Sequence, residues 1–232
     1  MVIKDKDLGD IKIVENVRAR RITVRCKDGR LQLTYPSGMS MSGIEKAIES
    51  MKPRLFKLLE PKKEQYIFTP QTEFRTFSFS LKISEGDSTS NYYLKLKDGV
   101  LSISCPPHTD YKSSSVQVTI RDLVETALRY EAKRLFPQKV ERLARRCGFT
   151  FSEVKINRSR TRWGSCSSKK NINLSYYCML LPEYLVDFVI LHELCHTKEM
   201  NHGERFWQLL DKASGGRSQE LTNELKTFKT SW

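Results

Sequence analysis

The hydrophobic pattern changes period several times along the chain. Ile11 and Ile13, then Ile22, Val24 and Cys26, fall on one side with charged residues between them, which is the period of half-buried strands. Lys27-Asp28-Gly29-Arg30 is the turn of a hairpin, with Asp-Gly as its signal. Leu31, Leu33 and Tyr35 form the returning strand, ended by Pro36-Ser37-Gly38. Over 42–60 the period lengthens. Ser42 can cap a helix, and Ile44, Ala47, Ile48, Met51, Leu55, Leu58 and Leu59 keep helical spacing. Pro53 is expected to kink or split that helix. Pro61-Lys62-Lys63-Glu64 reads as a linker.

A second strand-rich stretch runs from Thr72 to Ser104. Phe74, Phe77, Phe79, Leu81 and Ile83 fall on one predicted strand. Tyr92–Leu96 and Val100–Ile103 make two more, with turns at Glu85-Gly86-Asp87-Ser88 and Asp98-Gly99. The expected product is a small antiparallel sheet. Residues 116–147 then turn helical, with Ile120, Val124, Leu128, Leu135, Val140 and Leu143 on one face. Pro137 should bend or break this helix and Gly148 should stop it. Short strand-like pieces follow at Val154–Asn157, Arg162–Cys166 and Asn171–Tyr176. Pro182 opens a helix that is apolar through Leu191. Phe206, Trp207, Leu209 and Leu210 mark another, and Leu221, Leu225 and Phe228 a last short one. No internal repeat stands out. The pattern predicts an α+β fold: a sheet-rich N-terminal region with one helix over 1–115, and over 116–232 a long linking helix and a compact module whose small sheet packs on the helix after Pro182.

Composition narrows the setting. The 232 residues are 39% hydrophobic and 29% charged, as in globular domains. No apolar run approaches the ~20 residues that cross a membrane. Met1-Val2-Ile3-Lys4-Asp5-Lys6 lacks the apolar core of an export signal. A cytoplasmic location and no membrane partner are therefore expected. The six cysteines form no C-x-x-C pair and read as reduced thiols. The net charge of +13 favours polyanionic partners: nucleic acid, nucleotides or acidic surfaces. Arg18, Arg20, Arg21 and Arg25 crowd the first hairpin, as a phosphate-binding patch or as a solvated face. Nothing in the sequence specifies an oligomeric state.

The candidate chemistry sits near the C-terminus. Three of the four histidines lie in His192-Glu193-Leu194-Cys195-His196 and at His202. Residues four apart share a helix face, so His192 and His196 can converge on one ion with Glu193 beside its open side. Buried histidines need partners, and the apolar approach to His192 argues for burial. His202 is the third ligand by spacing, with Glu199 and Glu204 as lesser candidates. Asn201 tolerates left-handed angles and is expected to make the turn before His202. His108, in a proline-rich loop, and Cys195 are not expected to bind the ion.

Arg162-Trp163-Gly164-Ser165-Cys166-Ser167, then the H-E-x-x-H stretch, then Asn201-His202-Gly203-Glu204-Arg205-Phe206-Trp207 together resemble the YgjP-like metallopeptidase-domain family, which is similar to the SprT and WLM zinc proteases. The match is sharpest over 153–211, and Arg21–Pro36 fits the family's looser opening pattern. The resemblance implies a zincin-like C-terminal module, Zn2+ held by His192, His196 and His202, and Glu193 as the catalytic carboxylate. Members often have proline where Met200 stands. A bacterial member is associated with nucleoside triphosphate pyrophosphohydrolase activity, so the resemblance leaves the substrate open between peptide and nucleotide.

Three functions are therefore expected in order. The first is a zinc metallopeptidase with Glu193 as general base and Arg162 and Trp163 in substrate binding, on an edge strand that can pair with an extended peptide. The second is a zinc- or divalent-metal-dependent nucleoside triphosphate pyrophosphatase, in which Arg158, Arg160 and Arg162 grip the phosphates. The third is a basic nucleic-acid-binding protein whose metal is structural. Trp163 reads equally as a core aromatic.

Overall fold

The computed structural model describes residues 1–27, 30–59, 66–88 and 90–229. The expected Asp28-Gly29 turn and the 61–64 linker lie outside them. The chain divides into two compact units, Met1–Gln65 and Tyr66–Trp232.

In the first unit, β1 (Val2–Asp5), β2 (Gly9–Glu15), β3 (Thr23–Lys27) and β4 (Arg30–Tyr35) form a sheet in the order β1-β2-β4-β3, followed by α1 (Met41–Leu59). Ile11, Ile13, Leu31 and Leu33 face inward and share a core with Ile44, Ile48 and Leu55 of α1. The helix continues through Pro53. β1 carries too short a run to show a period.

The second unit begins with β5 (Ser80–Glu85), β6 (Tyr93–Lys97) and β7 (Val100–Cys105), ordered β5-β7-β6. β6 is antiparallel to β7 but β5 is parallel to it, so the sheet is mixed rather than antiparallel. An alternating pattern reports which face is buried and carries no strand direction. Phe74 and Phe77 precede the strand. The chain there is irregular, and Phe74 sits 5.9 Å from Phe68 and 6.4 Å from Phe79 between ring centroids.

Helix α2 (Ser114–Cys147) is continuous through Pro137 and ends at Gly148 with φ 68. Phe136, Val140 and Leu143 are fully buried around the proline, so packing outweighs the lost backbone bond, a penalty of about 3 kcal/mol. Then come β8 (Glu153–Asn157), β9 (Gly164–Cys166) and β10 (Asn171–Ser175), ordered β8-β10-β9, a 3-10 turn (Tyr176–Leu180), α3 (Glu183–Cys195), α4 (Glu204–Ala213) and α5 (Ser218–Leu225). α3 packs on β9 and β10. The boundary between units falls at 65/66 rather than at 115/116. The reason is that Leu81, Ile83, Leu101 and Ile103 are buried in the same cluster as Ile120 and Val124 of α2 and Ile190 and Leu194 of α3. Among the described residues no helix is long and apolar enough to cross a membrane.

One connectivity occurs three times, a repeat that the hydrophobic periods do not reveal. In β2-β4-β3, β5-β7-β6 and β8-β10-β9 the first strand is parallel to the third, the second is antiparallel to it, and a helix follows. The sequence echoes it faintly: Lys27-Asp28-Gly29-Arg30-Leu31 and Lys97-Asp98-Gly99-Val100-Leu101. Register makes Val24 (opposite Leu33), Leu94 (opposite Ile103) and Gly164 (opposite Leu174) equivalent.

Candidate metal centre

α3 is buried on most sides, with Leu185, Val186, Phe188, Val189, Ile190, Leu191 and Leu194 in the core. Its first turns are tied to α2 by the buried Lys139, whose Nζ lies 2.5 Å from Glu183 Oε1 and 2.9 Å from Asp187 Oδ1. These anchors fix the last turn, which carries His192 and Glu193. His196 caps the helix, and three further backbone bonds, from Thr197, Lys198 and Glu199 back to Leu194 and Cys195, fold the chain towards His202. The turn is thus a continuation of helical hydrogen bonding. Asn201 is not among the residues with positive φ, contrary to the expectation for it.

His192 Nε2 lies 3.3 Å from His196 Nε2 and 3.1 Å from His202 Nε2. One imidazole nitrogen carries at most one hydrogen and cannot bridge two others, so hydrogen bonding does not account for the triad. A cation does. Tetrahedral Zn–N bonds of about 2.0–2.1 Å set ligand nitrogens about 3.3–3.4 Å apart, close to what is found. His196 Nδ1 is 3.1 Å from the Glu199 carbonyl oxygen. That contact suits an N–H on Nδ1 and leaves Nε2 with its lone pair. Burial first, and then the other two histidines, push the His192 pKa down to about 4, which keeps the ring neutral as a ligand must be. The fully buried Phe206 lies beneath all three rings, 5.0, 4.6 and 4.6 Å from His192, His196 and His202. Glu199 contributes a carbonyl, and the Glu204 carboxylate accepts a hydrogen bond from Gln208. Neither joins the cluster, and nor do His108 and Cys195.

Glu193 is 5% exposed and its Oε2 has no hydrogen-bond partner. Burial raises its pKa to about 8, against the opposing pull of Arg162. Gly164 explains how the carboxylate fits. A Cβ on that residue would lie 2.7 Å from Glu193 Cγ and Oε1, so only glycine lets β9 pass this close. Gly164, Ser165 and Cys166 form one wall of a cleft of about 260 Å³ that also contains the three histidines and Glu193.

The two expected substrate residues do not line that cleft. Arg162 is exposed. Trp163 is half-buried against the core, and its carbonyl accepts hydrogen bonds from Ser175 N–H (2.8 Å) and the Cys178 thiol (3.3 Å). Arg158 and Arg160 turn away to Glu125 on α2. Arg158 Nη2 is 2.6 Å from its Oε2, Arg160 Nη2 2.5 Å from its Oε1, and Tyr176 and Tyr177 also donate to it. Sequence reading missed the roles of Gly164 and Glu125. The glycine's place inside R-W-G-S-C was a signal, whereas Glu125 offered none.

A family model described as YgjP-like, metallopeptidase domain, matches residues 20–228. The chain belongs to this family. Membership makes it a protein of metallopeptidase type and implies a divalent metal, usually zinc. Two solved structures resemble part of this YgjP-like chain. One is the metallopeptidase zymogen of Pyrococcus abyssi abylysin, at 23% identity over 39% of this chain and 91% of that one, with a TM-score of 0.36. The other is the metallopeptidase zymogen of Methanocaldococcus jannaschii jannalysin, at 25% identity over 39% and 93%, with a TM-score of 0.35. No curated protein matches the chain.

Proposed function

We propose that the chain is a zinc-dependent peptidase in which His192, His196 and His202 hold the ion and Glu193 is the general base. The observation that carries this reading is the convergence of three imidazole nitrogens beside a buried carboxylate with a free oxygen. When bound, zinc would supply a Lewis acid, lower the pKa of water to about 7 and, by its charge, hold the neighbouring Glu193 carboxyl in its ionised form. Glu193 takes the proton of the attacking water on its unpartnered oxygen and passes it to the leaving amine. β9 pairs with β10 through Gly164, Ser165 and Cys166 and stands at the edge of its sheet. Its free side takes an extended peptide as an added strand, which lays the scissile bond across the cleft. Trp163 braces that strand from the core side, and the exposed Arg162 precedes it in the chain.

The pyrophosphatase reading is less well supported. Two of the three arginines it requires are held by Glu125, and no arginine or lysine lines the cleft. A purely structural metal leaves the buried Glu193 unexplained. The test is to offer casein and a nucleotide panel to the zinc-loaded protein and to its Glu193→Gln variant. Peptide cleavage should fall at least about 100-fold in the variant at unchanged zinc content. Cleavage at the wild-type rate removes Glu193 from the mechanism. Pyrophosphate release confined to the wild type replaces the peptidase by the nucleotide reading.

A further inference from the structure

The first unit carries basic side chains that its own acids do not neutralise. Asp5, Asp7 and Glu49 gather on Lys52. The outward face of the sheet, opposite α1, holds Lys12, Arg25 and Arg30, with Gln32 and Thr23 between them and Asp10 as its acid. Arg18, Arg20 and Arg21 lie exposed in the segment leading into β3, which is the edge strand. Among the described residues, none of these arginines is paired with a carboxylate.

The third sheet shows what such a segment does when an acid is present. After its first strand, Asn157 Oδ1 accepts the Ser159 N–H at 2.9 Å, and Arg158 and Arg160 each take one oxygen of Glu125. After the equivalent strand of the first sheet, Asn16 Oδ1 accepts the Arg18 N–H at 2.9 Å, and Arg18 and Arg20 follow. The turn is of the same kind, set two residues later in the register, and among the described residues no carboxylate pairs with Arg18 or Arg20.

We propose that the edge strand and outward face of the first unit's sheet bind the phosphate backbone of a nucleic acid. Arg25 lies on β3 and Arg21 two residues before its start, and with Arg18, Arg20 and Arg30 they make a stripe that several successive phosphates can follow. Among the described residues the outward face presents no aromatic ring, so bases have nothing to stack on and binding is independent of sequence. The surface belongs to the first unit, and the metal cleft to the second.

The test is fluorescence anisotropy of a labelled DNA duplex with the full chain at salt concentrations from about 50 to about 200 mM, where each neutralised phosphate contributes about −0.9 to the slope of log K against log salt. The variant Arg18→Ser/Arg20→Ser/Arg21→Ser/Arg25→Ser should bind at least tenfold more weakly at the lowest salt, with a slope flatter by about 3–4. The four corresponding Arg→Lys changes should keep most of the affinity, which separates lost charge from lost folding. Glu193→Gln should bind DNA like the wild type, so this result stands or falls separately from the peptidase assignment. A control, Lys82→Ser/Lys95→Ser/Lys112→Ser/Lys133→Ser, removes the same charge from the second unit. Equal loss in that control overturns the proposal, as does wild-type binding that is absent at low salt, or binding to anionic lipid vesicles without binding to DNA.

Discussion

The second and third sheets have the same connectivity and share one core, yet only the third builds a site. At equivalent positions of the second strand in chain order, an edge strand in both, the second sheet sends Leu94 inward to pack on the core, and the third has Gly164. The space left by the missing side chain is filled by the Glu193 carboxylate from the following helix. The connection before that strand differs as well. In the third sheet it is tied through Arg158 and Arg160 to Glu125, underneath which Tyr176 and Tyr177 close the network. The shared topology is therefore a holder. One deletion of side-chain volume and one buried acid convert it into a reactive surface.

Putting a side chain back at the deleted position should have the largest effect. Gly164→Ala forces a Cβ into Glu193, and overpacking of this kind costs about 1–3 kcal/mol. A displacement of the carboxylate by about 1 Å is expected to lower turnover about 100-fold. Casein hydrolysis and urea unfolding read the two effects, and wild-type turnover would show that the strand can back away without cost.

Next comes the tether. Burial pushes the Glu125 carboxyl up, but hydrogen bonds from Tyr177 and Tyr176 and the charges of Arg158 and Arg160 outweigh it, leaving the pKa below the usual 4.5. A carboxyl depressed in the folded state binds fewer protons there than in the unfolded chain. It stabilises above about pH 4.5, and that contribution disappears as the pH falls through the folded value. Glu125→Gln should therefore cost about 2–4 kcal/mol at pH 7, with the gap to the wild type narrowing below pH 4.5. Urea unfolding at both pH values measures it, and a gap independent of pH would mean that packing rather than charge holds the tether.

The second sheet offers the smallest effect. Leu94→Ala mimics there the loss that Gly164 represents in the third. Because Leu94 is only half-buried, the cost should be about 1–2 kcal/mol, with hydrolysis unaffected. A fall in turnover would show that the two sheets are mechanically coupled.

What the sequence made legible follows from distance along the chain. His192, His196 and His202 span eleven residues, and one helix end and its turn bring them together, so spacing alone pointed to the cluster. The reliance of Glu193 on Gly164 crosses from a strand to a helix, and hydrophobic period cannot register a contact made by an absent side chain. Arg158 and Arg160 read as free cations because Glu125, their partner, lies more than thirty residues earlier in an otherwise ordinary helix. The parallel pairing of β5 with β7 was hidden because alternation is the same for either direction. Pro137 looked like a break, but its surroundings are buried deeply enough to keep α2 whole.

Among the described residues the two hydrophobic cores share no side chain: Ile11, Leu31 and Ile48 belong to one, and Phe136, Ile190 and Phe206 to the other. Heating should then melt the molecule in two steps, with the smaller core of the first unit yielding first. Over that interval the chain would have lost its arginine-bearing sheet and kept its histidine cage, so hydrolysis should outlast the first calorimetric peak.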